Sequence, residues 1–196
     1  MQIIIISGPS GSGKTTLSKQ ILNKLKNCLI LSTDNYYKTG TISKIISRLI
    51  KSYYDREISL NYKLLKKDLN FIIDTGKSNH SYNYDFQKKI VEKSYKSSNK
   101  IDFLIIEGIF AKKILENFYD QKYFFIELNT DKFICMKRVI NRDINERGKS
   151  KKIAKNDFLN SWDIYYNKKN INKNVLNKFI YTYESNIDKL IEKILI

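Results

Sequence analysis

Apolar residues fall along this chain in two rhythms. Unbroken apolar runs occupy Gln2–Ser7, Cys28–Ser32, Ile101–Gly108 and Lys122–Leu128, with a weaker one at Lys178–Tyr181. Such runs, rich in isoleucine and phenylalanine, suit strands covered on both faces, as in a parallel sheet. Between them apolar positions recur at helical spacing. Leu17, Ile21, Leu22 and Leu25 mark a helix from Thr15 to about Lys26. Ile42, Ile45, Ile46, Leu49 and Ile50 mark another, from Ile42 to Tyr54. A third runs from Leu60 to Ile73 and stops at Thr75-Gly76, a helix C-terminal signal. Later helices are predicted over 131–146, 153–166 and 186–196. Strands alternating with helices predict an α/β fold, a five-stranded parallel sheet flanked by helices. Ser81–Phe86 reads as a short extended piece, and Lys88–Lys96 carries little pattern. With no repeat or low-complexity linker, the 196 residues read as one domain.

The most informative stretch follows the first strand. Gly8-Pro9-Ser10-Gly11-Ser12-Gly13-Lys14-Thr15-Thr16 matches G-x-x-x-x-G-K-[ST]. A strand feeding a glycine-rich turn that opens a helix is the context this pattern requires. The glycines let the backbone curl so that successive N–H groups point into one hollow, and the helix start adds its positive end. Lys14 then reaches the β- and γ-phosphates of a nucleoside triphosphate, and the Thr15 hydroxyl is a magnesium ligand. Only 7 glycines occur in the chain and three lie here, so a chance glycine-rich turn is a poor explanation.

Composition narrows the class. No apolar run approaches about 18 residues, so no membrane span is expected. The first core strand begins at the N-terminus, which leaves no room for a signal peptide, and Cys28 and Cys135 show no metal-ligand spacing. Reduced cysteines and a cytoplasmic location are the expectation. The net charge of +16 is spread along the whole chain, not gathered into a patch, so nucleic acid is not the expected partner. A basic field also suits a polyanionic nucleotide. Self-association stays open.

Phosphoryl transfer needs positioned phosphates, neutralised charge and an oriented nucleophile. Glu107 ends an apolar strand, where an acid can hold Mg²⁺ directly or through water. Asp34 lies beyond the second strand, placed to accept a proton from an attacking hydroxyl; otherwise it is a turn residue or helix cap. Arg138, Arg142, Arg147 and Lys149 could close over the phosphates, or could form ion pairs along a solvated helix. His80, the sole histidine, is expected at the surface in a polar turn.

Five segments together resemble the uridine kinase-like family, within the phosphoribulokinase and uridine kinase group of P-loop kinases. They are Gly8–Thr16, Ser32–Lys38, Tyr84–Phe86, Ile106–Phe110 and Arg142–Lys149, in the family's order and spacing. The resemblance implies a P-loop fold with a lid near 142–155, and transfer from ATP (or GTP) with Mg²⁺ to a hydroxyl acceptor. It assigns Asp34 as catalytic base, Tyr37 and Tyr84 as acceptor-pocket aromatics, Arg142, Arg147 and Lys149 as the lid over the phosphates, and Glu107 as the acid of the magnesium site. Asp55 keeps the first acid of the acceptor segment, but Ile58 stands where the ribose-binding acid is usual. The base-contacting histidine expected after Tyr84-Asp85-Phe86 is missing, and Val139 replaces a second lid-helix arginine. The implied reaction is phosphorylation of the 5′-hydroxyl of uridine or cytidine. A kinase of nicotinamide riboside or pantothenate is the alternative within the class. A nucleotide-dependent switch is disfavoured, because no Asn-Lys-x-Asp motif occurs and Glu107 is followed by Gly108 instead of a second acid.

Overall fold

The structure is a computed structural model describing residues 1–95, 97–117, 122–167, 178–182 and 185–195. Lys96 and Ile196, which the sequence patterns included, lie outside the described residues. Among the described residues, one sheet holds β1 (Gln2–Ser7), β2 (Cys28–Ser32), β5 (Phe103–Gly108), β6 (Tyr123–Leu128) and β7 (Lys178–Tyr181). Its order is β2-β5-β1-β6-β7, and every pairing is parallel. Each apolar run predicted a strand within two residues of its observed ends.

The isoleucine run explains the layering. Successive side chains on a strand point to opposite faces. Ile3 and Ile5 therefore enter one core, packed with Leu104, Ile106, Phe125 and α3 (Tyr62–Thr75). Ile4 and Ile6 enter the other, against Leu17 and Ile21 of α1 (Lys14–Lys24) and Leu190 and Ile194 of α6 (Ile187–Leu195). All four isoleucines are buried, so this strand is apolar at consecutive positions. A third, smaller cluster joins Cys135 and Val139 of α4 (Lys132–Arg147) to Phe158 of α5 (Lys151–Asn167).

Three predicted features change. The helix expected over 42–54 stops early, as α2 (Thr41–Leu49), because Ile50 turns extended and Ser52 adopts a left-handed conformation with φ of 54°. Its apolar stripe also faces outward: Ile42 is 74% and Leu49 79% exposed, while Ser43 is buried. The stretch 88–96 contributes β4 (Ile90–Tyr95), an antiparallel partner for β3 (His80–Asp85). His80 is not a surface turn residue. It sits at the start of β3 with its Nε2 3.1 Å from the buried Asp68 carboxylate.

Candidate active site

The carboxyl ends of β1, β2 and β5 meet on one edge, where ligands bind in open α/β sheets. The glycine-rich loop leaves β1 there. Gly11 has φ of 79°, and a Cβ on it would lie 2.5 Å from the carbonyl oxygen of Cys135, so α4 closes on the loop only because this residue is glycine. Thr130 Oγ1 donates to Ser12 O at 2.9 Å and Arg138 to Gly11 O at 3.3 Å, tying the loop to the start of α4 and its second turn. At the start of α1, Gly13 supplies no side-chain cap and the first turn holds no acid. The amides at that end keep their capacity for an anion. Helices α3 and α4, by contrast, are capped by Asn61 and Asp131.

Lys14 is buried and folds back to donate to Gly8 O (3.0 Å) and Pro9 O (2.9 Å). Burial lowers its pKa, while Glu107 and Asp34 pull it up. Thr15 Oγ1 lies 3.5 Å from Glu107 Oε1, at the long limit of a hydrogen bond. Burial raises the Glu107 pKa and Asp34 adds to the rise; Lys14, Ser32 and Thr15 oppose it. Among the described residues, no three of His, Cys, Asp and Glu gather at one point. One hydroxyl and one carboxylate suit a small hard cation that keeps its water and phosphate ligands, so these residues fit magnesium held mainly by a nucleotide.

Asp34 sits in the 3₁₀ turn Thr33–Tyr36 directly after β2. The residue is half-buried, and its Oδ1 is buried without a hydrogen-bond partner. Burial raises its pKa, and Lys14, Arg147 and Arg142 oppose that rise. Such an atom is costly unless something else satisfies it. The turn is fixed by close contact with β5: Gly108 has φ of 146°, and a Cβ there would meet Thr33 Oγ1 at 1.8 Å. Asn35 Oδ1 accepts from the Tyr84 N–H at 3.1 Å, which joins the turn to the β3–β4 hairpin.

A cleft of about 390 Å³ opens beside Asp34. It is lined by Tyr37, Asp55, Tyr84, Arg142, Arg147 and Lys149. Arg138, grouped with these cations from the sequence, is not among its lining residues and reaches Gly11 O of the phosphate loop instead. Ser10 brings the phosphate loop to its edge. The aromatic wall is continuous: Tyr37 and Tyr84 centroids are 4.9 Å apart, Tyr37 and Tyr54 5.4 Å, Tyr84 and Phe86 4.9 Å. Asp55 is half-buried, and desolvation pushes its pKa up to about 7. Sequence reasoning singled out neither Asp143 nor Asp157, which also line the cleft. Asp143 had a signal, since it lies between Arg142 and Arg147, but it read as a partner in helix-surface pairing. Asp157 had none; α5 carries it to the cleft only through its packing on α4.

A curled phosphate loop, a lysine folded into it and an acid on the adjacent strand end define a P-loop nucleoside-triphosphate site. The model of the phosphoribulokinase / uridine kinase family matches residues 3–175, and the chain belongs to that family. Membership implies ATP as the phosphoryl donor. The chain is 33% identical over 155 residues to the uridine kinase of Ureaplasma parvum, covering 76% of this chain and 72% of that one. It is 32% identical over 162 residues to the uridine kinase of Staphylococcus epidermidis, covering 81% and 76%. Among solved structures it resembles D-glycerate 3-kinase from Cryptococcus neoformans, with a TM-score of 0.63, 16% identity, and coverage of 92% and 86%. That likeness shows the fold alone.

Proposed function

We propose that this chain transfers the γ-phosphoryl group of ATP to the 5′-hydroxyl of a pyrimidine ribonucleoside, uridine or cytidine. The observation that carries the reading is Asp34: a half-buried carboxylate whose Oδ1 is buried and unpartnered, between the phosphate loop and an aromatic-walled cleft. The hydroxyl oxygen attacks the γ-phosphorus as its proton passes to Asp34. The bond to the β,γ-bridging oxygen breaks, and ADP leaves. Lys14, Arg142 and Arg147 counter the charge that spreads over the transferring group. Magnesium, held by Thr15 and Glu107 with the phosphates, would supply further charge neutralisation.

The tyrosine wall favours a flat ring in the acceptor. The uridine kinase relatives support the pyrimidine choice. One observation favours a different acceptor: Ile58, where a ribose-holding acid is usual, is 51% exposed and outside the cleft. With the base-contacting histidine missing after Phe86, uracil and cytosine should be poorly distinguished, since strong rejection needs buried groups left unpaired by the wrong substrate. The test is ADP release with uridine, cytidine, nicotinamide riboside and pantothenate. Uridine and cytidine should turn over within about tenfold of each other in kcat/KM. Turnover confined to nicotinamide riboside or pantothenate would overturn the pyrimidine reading and leave the kinase standing.

A further inference from the structure

Asp143 is the most enclosed acid of the cleft, at 2% exposure. Its carboxylate gathers the cations of the lid. Arg142 donates to Oδ1 through Nε at 3.0 Å and Nη2 at 2.8 Å. Arg147 Nη1 lies 3.2 Å from the same oxygen. Lys149 Nζ donates to Oδ2 at 2.9 Å and to Asp157 Oδ2 at 2.9 Å. The backbone repeats the arrangement. Gly148, left-handed at φ of 64°, and Lys149 both donate their N–H to Asp143 O, so the end of α4 turns Lys149 back toward the acid. Burial pushes the Asp143 pKa up, but Lys149, Arg147 and Arg142 outweigh it and hold the group ionised.

The three cations belong to one helix end and repel one another. Left to solvent, long basic side chains sample many rotamers, and gathering them when the nucleotide arrives would cost that freedom. One buried carboxylate removes both obstacles in advance. Arg147 is held from its other side as well, since its guanidinium carbon lies 3.7 Å from the centre of the Phe86 ring. The bonds to Asp143 leave each arginine with further N–H donors to direct at phosphate oxygens.

We propose that Asp143 is a positioning residue for phosphoryl transfer: it preassembles Arg142, Arg147 and Lys149 so that they face the phosphates before the transition state forms. It acts through those cations without itself touching substrate. The inference rests on the kinase reading.

The test compares wild type with Asp143→Asn, which keeps the shape and loses the charge, and Asp143→Glu, which keeps the charge. Turnover is counted per native molecule, from the native fraction in a thermal melt, so instability alone does not register. Asp143→Asn should lower kcat by about 30-fold or more, with KM for ATP within about threefold of wild type, because preorganisation acts chiefly in the transition state. Asp143→Glu should recover part of the loss. Wild-type kcat per native Asp143→Asn molecule overturns the proposal, as does a raised KM with kcat unchanged. Failure of the nucleoside reading shows separately, as a wild type inert with uridine and cytidine. The variants are then compared with whichever acceptor turns over, or by slow ATP hydrolysis where none does.

Discussion

Burial acts in opposite senses on Lys14 and Asp34, lowering the one pKa and raising the other. Each group eases the other's desolvation, and neither has the solvation it would have in water. A base whose pKa is lifted toward the working pH is better matched to accept a proton from a hydroxyl. Asp55 shows the same physics, with its pKa pushed up from 3.8 to about 7. The sign follows from linkage. Below the unfolded value both states are protonated and Asp55 costs the fold nothing. As pH rises toward 7 the unfolded chain ionises first, and stability is lost; above the folded value the loss is complete, at roughly 4 kcal/mol. Asp55→Asn should therefore melt at a higher temperature than wild type at pH 8, with the difference shrinking by pH 5. Thermal melts across that range check it, and a difference independent of pH would contradict it.

At the level of elements, the structure turns on a few close approaches. Strand β5 ends in Gly108 against Thr33, and that contact sets the turn carrying Asp34. Gly108→Ala forces a Cβ into the Thr33 hydroxyl, in a backbone conformation that L-residues rarely adopt. It should cost about 2 kcal/mol of stability and lower kcat by about tenfold or more, through displacement of Asp34. A wild-type melting temperature and turnover would mean that the turn is held by something else. Elements differ in how plainly the sequence announces them. The sheet strands were legible because a strand buried on both faces leaves an unbroken apolar run, and the phosphate loop because its glycines have no substitute. The α2 periodicity revealed a helix but not its orientation. It faces Ser43 inward and Ile42 and Leu49 to solvent, the reverse of the usual arrangement, since Ser47 lines the polar cleft and not the sheet. The β4 half of the β3–β4 hairpin escaped notice because β4 is largely exposed and carries Glu92, Lys93 and Ser94 across both faces, which leaves no apolar alternation to read. His80 was misread for a related reason: its partner, Asp68, comes from α3, and nothing local signals a pairing across that distance.

The whole molecule converges on one edge of its sheet. Order β2-β5-β1-β6-β7 places β5 between the strand that ends at Asp34 and the strand that ends at the phosphate loop. Glu107 stands opposite Ser32 on one side and Ile6 on the other, so the acid of the proposed magnesium site is central by topology. From the far side, α4 and α5 carry the lid cations and Asp157 to the same cleft. The phosphate half of this site could be read from motifs, because each role lies within a short segment. The acceptor half could be read only in part, because Tyr54, Phe86 and Asp157 reach the cleft from three elements far apart in sequence. Asp34 is where the two halves meet, and the central claim is that it takes the acceptor proton during transfer. The most direct measurement pairs nucleotide binding with turnover in Asp34→Asn. This change keeps the shape and a hydrogen-bond acceptor but removes the base. ATP affinity should stay within about threefold of wild type while uridine-dependent ADP release falls by about 100-fold or more. Unimpaired release would contradict the account and leave Asp34 a structural residue of the turn.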